Sequence, residues 1–453
     1  MIYKNSDFDS SWVPHIQEAI HQHNVQLVRV SIQDTSNVSR SRYLPARKFL
    51  DIISGNQDLS FPSAIFAFDT SAQLQKDIGG GYAGGFPSWK LDLDLSTFSV
   101  IPYATGVARI IADVVDEHDM AVQIAPRQAL RKVITQLMEL GYRIKGSFEY
   151  EFYVFKETQA GLEPAWTGLQ CFSETKQSEV EDIIGDILHY LFEMGAGPEV
   201  ANTEYGSGQF EVSNSPFWDI EIADMAFYYR SSIKEILAHK GYKANFMSKP
   251  VNNMSGSGAH LHHSLFDQQG QNLFYDASQT DGLSDLARWF IGGQLMHAKT
   301  ISALANSTIN SYKRLQPYSF APFKVTWGYD NRACMVRIPP ARGENTRIEN
   351  RAPGADTDPY IALAVVLAAG LDGIRNRIEP DKPILNEDAY AVNAEMLPRS
   401  LGEALQHLEQ DEWASQVFGE AFMQHYIKLR SAENNRFLQY VTDWERNEYQ
   451  DLF

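Results

Sequence analysis

Two carboxylates one residue apart stand in a run of bulky aromatic and β-branched residues, Ser147-Phe148-Glu149-Tyr150-Glu151-Phe152-Tyr153-Val154-Phe155. Such a run favours a covered strand, and on a strand alternate side chains share a face. Glu149 and Glu151 then project together, opposite Phe148, Tyr150 and Phe152. Two desolvated carboxylates side by side repel each other unless a cation sits between them. Hard divalent ions, Mg²⁺ above all, meet that need through oxygen ligands. A solvated face carrying two charges by chance is the plain alternative.

Four more stretches gather polar groups at short spacing in apolar or glycine-rich surroundings. Glu204-Tyr205-Gly206-Ser207-Gly208-Gln209-Phe210-Glu211 sets two carboxylates around a glycine turn, and Ser255-Gly256-Ser257-Gly258-Ala259-His260-Leu261-His262 puts two imidazoles on one strand face. Asn310-Ser311-Tyr312-Lys313-Arg314-Leu315 follows. Trp327-Gly328-Tyr329-Asp330-Asn331-Arg332 comes next, with Arg337 beyond it and then Arg347-Ile348-Glu349-Asn350-Arg351. Singly, each has a dull explanation: a hydrogen-bonded core histidine, a surface ion pair of little worth, a Gly-Ser-Gly loop. In this order and together they read as one dispersed site.

The elements that must position these groups show in the hydrophobic periodicity. Ser11 to His23 has helical spacing, Val25 to Ile32 alternates like a strand, and Tyr43-Leu44-Pro45 returns after a turn. Ala64 to Phe68 is a short apolar run, and Leu91 to Pro102 alternates again. Between them, Asp77 to Gly85 is glycine-rich but lacks the Gly-Lys-Ser/Thr ending of a phosphate loop, so it reads as a flexible surface loop. Residues 1–105 are expected to form a small α+β domain, with a larger one over 106–453. In the second, Arg109 to Val114 is a strand, and Pro126 opens a helix that ends at Leu140-Gly141. Ser178 to Met194 and Asp219 to Lys240 are helical, which with the intervening strands predicts a curved α/β sheet or partial barrel. The tail from Asp358 is helical, with Ile361 to Ile374 apolar enough for the core and Arg430 to Glu448 peripheral.

Composition narrows the partners. A formal charge of −18 over 453 residues disfavours nucleic acid and anionic membranes. Cys171 and Cys334, the only cysteines, exclude a disulfide framework. No run is long and apolar enough to span a membrane, and Met1 to Trp12 lacks the pattern of a secretory signal. A cytoplasmic protein is expected.

The ordered blocks resemble the glutamine synthetase superfamily over nearly the whole chain. They are Glu149-x-Glu151, Glu204 to Glu211, Gly256-Ser257-Gly258-x-His260-x-His262, Asn310 to Arg314, and Arg347-Ile348-Glu349-x-Arg351 leading to Asp358-Pro359-Tyr360. The resemblance implies an N-terminal β-grasp domain, a C-terminal catalytic α/β partial barrel, and double-ringed homo-oligomers with active sites between subunits. It implies ATP as co-substrate, Mg²⁺ or Mn²⁺ as cofactor, and activation of glutamate's side-chain carboxylate as γ-glutamyl phosphate before an amine displaces phosphate. Matching positions place one metal on Glu151, Glu204 and Glu211 and the other on Glu149, His260 and Glu349. Arg332, Arg337 and Arg347 match phosphate contacts, His262 and Ser264 nucleotide-side contacts, and Gly256, Arg314 and Arg351 contacts to glutamate and the transferring group. Asp69 matches the aspartate that a neighbouring subunit lends to the amine site.

Three departures bear on the amine. Where glutamine synthetases carry a flap glutamate that holds ammonium, Arg314-Leu315-Gln316-Pro317-Tyr318-Ser319-Phe320 puts Phe320, which can pack against carbon but cannot act as a base. Ser255 replaces the usual asparagine before Gly-Ser-Gly, and Thr70 the glycine after the aspartate. Trp327 to Arg332, Arg347 to Asp356 and Leu397 to Leu401 look most like the γ-glutamylpolyamine (γ-glutamylputrescine) synthetase branch. The expected activity is ligation of glutamate's γ-carboxyl to putrescine or another alkylamine. The alternatives are ammonia, methylamine, isopropylamine, an aromatic amine or ethanolamine as acceptor, or a non-catalytic relative.

Overall fold

The computed structural model describes residues 11–453 apart from 77, 79, 80, 83, 117, 119, 160 and 169. The opening residues read for a signal, up to residue 10, and four positions of the glycine-rich stretch (77, 79, 80 and 83) lie outside the described residues.

Alternating apolar residues build the first unit. Val28, Val30 and Ile32 on strand Leu27–Gln33 are buried, as are Ala108 and Ile110 on Val107–Val115, and the two strands pair in parallel. The sheet has five strands, in the order Ser39–Pro45, Leu27–Gln33, Val107–Val115, Ser88–Val100, Ser60–Pro62. Helices Trp12–Gln22 and Ala46–Ile53 turn Ile16, Ile20, Phe49 and Ile53 into its core. This matches the small α+β unit expected, with one correction. The division at residue 105 cuts the sheet, because Val107–Val115 is its central strand. That strand is buried along nearly its whole length, so periodicity could not say which sheet it joined. The apolar run at 64–68 forms a 3₁₀ turn over Ser63–Ala67, and one lesser correction follows: the last helical stretch breaks at Tyr440 into Glu420–Gln439 and Asp443–Tyr449.

The second unit is a ten-stranded sheet around the strand Arg143–Thr158. Its main path runs Trp327–Tyr329, Val336–Ile338, Ile348–Asn350, Ala259–Phe266, Arg143–Thr158, Gln209–Asn214, Pro198–Thr203, and the sheet curls into a half-barrel. Phe148, Tyr150, Phe152 and Val154 face a core closed by helices Pro126–Glu139, Glu221–His239 and Pro359–Asn376. The last of these is apolar all round because it is buried nearly throughout. Its start is fixed by Asp358, whose carboxylate accepts the Tyr360 and Ile361 amide hydrogens, with Pro359 in the first turn.

One guanidinium ties the units together. Arg127, in the first turn of its helix and 4% exposed, donates to Asp113 at 2.8 Å and Asp94 at 2.7 Å in the first sheet. It also donates to both oxygens of Asp224, on helix Glu221–His239, at 2.9 and 2.7 Å.

Candidate active site

Strand register assembles the site. Glu149 lies opposite His260, Glu151 opposite Glu211, and Glu349 opposite both His262 and Arg337. Directly opposed residues share a sheet face, so five neighbouring strands deliver carboxylates, imidazoles and a guanidinium to one concave surface. Sequence spacing predicted the face for Glu149 and Glu151; only pairing brings the others alongside.

The contacts are close. His260 Nδ1 is 3.2 Å from Glu149 Oε1 and 3.8 Å from Glu349 Oε1, and His262 Nε2 is 3.6 Å from Glu149 Oε2. Glu349, fully buried, accepts from Arg337 at 2.5 Å and from Arg351. The Gly258 amide donates to Glu151 Oε2 at 2.8 Å, and Asn202 donates to Glu204 at 2.8 Å. A Cβ on Gly258 would lie 2.6 Å from His260 Nε2 and 2.7 Å from an Arg314 nitrogen, so both side-chain ends would have to shift to admit one. A Cβ on Gly256 would likewise meet Arg314 Cγ at 2.7 Å.

A cavity of about 430 Å³ opens over this face. Glu149, Glu151, Glu204, Glu211, His260 and His262 line it, together with Gly256, Arg314, Phe320, Arg332, Arg337, Arg347, Arg351 and several smaller or aromatic neighbours. A second cavity, of about 400 Å³, shares Glu149, His262 and Arg347 with the first and adds Ser264. The Ser264 hydroxyl itself donates to the Thr346 carbonyl at 2.6 Å. Glu349 sits behind the first cavity, under Arg337 and Arg351. Asp69 does not line it: 2% exposed, it accepts from Ser71, Gln73, Gln75 and Arg436 within its own chain.

Two groups of candidate ligands already stand close together. Potential ligand atoms of Glu149, Glu211 and His260 lie within 4.8 Å of one another, as do those of Glu149, His262 and Glu349. Glu149 is common to both trios, whereas Glu151 and Glu204 are turned toward the Gly258 amide and Asn202. Arg347 Nε donates to His262 Nδ1 at 3.2 Å. Arginine has no lone pair to offer, so Nδ1 must accept and the ring proton sits on Nε2, facing Glu149. In that tautomer His262 Nε2 stands 3.6 Å from Glu149, beyond hydrogen-bond reach.

The electrostatics fit divalent cations. Burial, reinforced by Glu151, raises the Glu204 carboxyl to about 7. Burial, reinforced by repulsion from Glu149, Glu151 and Glu204, raises Glu211 to about 10. Burial works against ionisation of Glu349 too, but Arg351, the two histidines and Arg337 overcome it and hold Glu349 at about 2. Burial works against ionisation of Glu149 too, but the neighbouring His260 and His262 overcome it and hold Glu149 well below the usual range. These acids cannot all ionise side by side unless added positive charge replaces the protons.

Sequence reasoning passed over two residues of the cavity wall, Phe172 and Tyr205. Tyr205 had a readable signal, an aromatic inside a glycine turn directly after a candidate ligand. Phe172 had none, because its loop meets the site only through the fold.

A half-barrel whose inner face gathers carboxylates, two imidazoles and several guanidiniums is an arrangement suited to holding divalent ions against phosphate. The chain belongs to the glutamine synthetase family: the model of "Glutamine synthetase, catalytic domain" matches residues 123–449. It is 32% identical to a glutamate–isopropylamine ligase of Pseudomonas sp, covering 99% of this chain and all of that one. It is 34% identical to a glutamine synthetase of Thermotoga maritima, covering 96% and 98%. A solved GmaS/ADP complex superposes with a TM-score of 0.86 at 29% identity, covering 96% of this chain and 99% of that one.

Proposed function

We propose that this protein joins the γ-carboxyl of glutamate to a primary alkylamine, putrescine or a similar amine, at the expense of ATP. The observation that carries the reading is Phe320 on the wall of the cavity, beside the carboxylates and guanidiniums that also line it. The likeness to a glutamate–isopropylamine ligase supports it.

In this reading Glu151, Glu204 and Glu211 would hold one divalent ion and Glu149, His260 and Glu349 the other. Bound Mg²⁺ or Mn²⁺ neutralises phosphate charge and aligns donor with acceptor. Arg332, Arg337 and Arg347 grip the phosphates of ATP, with His262 and Ser264 on the nucleotide side. Guanidinium suits that task because it stays charged and presents a planar fork of donors. Arg314 lies against Gly256, where it meets the amino acid, and Arg351 reaches the transferring group. The glutamate γ-carboxylate attacks the γ-phosphorus, ADP leaves, and the neutral amine then displaces phosphate from the acyl phosphate. In an assembled ring, Asp69 serves the amine site of the adjoining subunit.

The test is phosphate release with ATP, Mg²⁺ and glutamate against ammonium, methylamine, ethanolamine, isopropylamine and putrescine. An alkylamine is expected to show the highest kcat/KM. Ammonium as the best acceptor would overturn the reading in favour of glutamine synthesis.

A further inference from the structure

Tyr205 and Phe320, far apart in sequence, meet on the cavity wall with ring centroids 5.4 Å apart and planes 28° from parallel. Both rings are half exposed, at 53% and 55%, although each offers a large apolar face. Aromatic pairs left partly open beside a polar cavity retain free surface for a ligand.

Each ring is held by its own backbone device. The Tyr205 turn is pinned from several sides: Gln170 donates to the Gly206 carbonyl at 2.8 Å, the Gly206 amide donates to Gln209 Oε1 at 2.9 Å, and Glu204 and Gln209 are joined through the backbone at 2.9 Å. Gly206 is pressed so closely on the Tyr153 ring that a Cβ there would overlap it. On the other side, Tyr318 and Phe320 both adopt left-handed backbone, with φ of +59° and +60°. Such a conformation in bulky residues persists only where surroundings impose it. Here Ser319 donates to the Gln316 carbonyl at 2.6 Å, Tyr390 donates to the Ala321 carbonyl at 3.0 Å, and Arg351 donates to the Phe320 carbonyl at 3.4 Å. The two segments converge so that the rings stack beside Glu204, next in sequence to Tyr205.

We infer that Tyr205 is a specificity-determining residue: stacked on Phe320, it completes an aromatic wall that takes the carbon substituent of an aliphatic primary amine. This rests on the proposed amine-ligase activity. An alkyl chain loses water against both rings, whereas ammonia carries no carbon to place there, so the wall favours the alkylamine over ammonia.

The experiment compares kcat/KM for isopropylamine and for ammonium, each with ATP, Mg²⁺ and glutamate, in the full-length protein and its variants. In Tyr205→Ala the alkylamine-to-ammonium ratio is expected to fall about tenfold, the scale of one or two lost methylene contacts. The loss should fall on KM for the amine rather than on KM for ATP. Tyr205→Phe, which keeps the ring, should restore the ratio, and Tyr205→Leu, which keeps bulk without a ring, should restore it only in part. Phe320→Ala should lower it as well, with the double variant little worse than either single, because the rings act as a unit. A ratio within twofold of the parent in both Tyr205→Ala and Tyr205→Leu would overturn the role of Tyr205 while leaving the amine-ligase reading intact. A parent protein that prefers ammonium would overturn both.

Discussion

At the scale of single residues, the acids of the cavity carry unequal charge. Glu149 and Glu349 are held ionised by imidazole and guanidinium neighbours, while burial and mutual repulsion keep protons on Glu204 and Glu211. Divalent cations must therefore displace protons to bind. Apparent Mn²⁺ affinity should rise as pH passes upward through about 7, where Glu204 ionises. Titration calorimetry at pH 6 and pH 8, in buffers of different ionisation enthalpy, should show proton release, greater at the lower pH. Linkage gives the matching sign for stability. Carboxyls whose folded pKa is raised bind more protons folded than unfolded, so the metal-free protein loses stability as pH rises above the ordinary carboxylate range. Mn²⁺ should raise Tm most at the alkaline end. Binding that is indifferent to pH, with no proton release, would contradict this account.

At the scale of elements, the sequence disclosed what lay along one strand and hid what lay across strands. Glu149 and Glu151 share a face by simple alternation, and His260 and His262 likewise. That Glu211 faces Glu151, or that Glu349 faces His262, is a matter of pairing between segments far apart in sequence. Family resemblance supplied those residues; periodicity could not. Val107–Val115 was misplaced for a related reason, since a strand buried on both faces carries no mark of its sheet. The junction this strand helps to form depends on Arg127, which leaves Asp94, Asp113 and Asp224 without their shared partner if lost. Arg127→Met should cost about 3–5 kcal/mol, the scale for removing one member of a buried ion cluster. Denaturant unfolding would read it, and a loss under 1 kcal/mol would show the cluster to be dispensable.

At the scale of the molecule, no helix among the described residues is long and apolar enough to cross a membrane, yet apolar surface is plentiful near the C-terminus. Leu438, Tyr440, Val441, Trp444 and Leu452 are each more than half exposed. A cluster of that kind is the expected mark of a protein contact, and it supports the ring assembly proposed above. Arg436, one turn earlier, reaches across to Asp69. Light scattering should find an oligomer in the parent, and the paired change Leu438→Asp with Trp444→Asp should shift it toward smaller species. A monomeric parent would remove Asp69 from the mechanism. The half-barrel has a consequence of its own. Side chains on a strand alternate, so slipping Arg143–Thr158 by a single position against its neighbours would turn Glu149 and Glu151 inward to the packed helices and present Phe148, Tyr150 and Phe152 to the cavity. The acids stand or fall as a block, and natural variants of this chain should carry added or missing residues in its loops but never inside that strand.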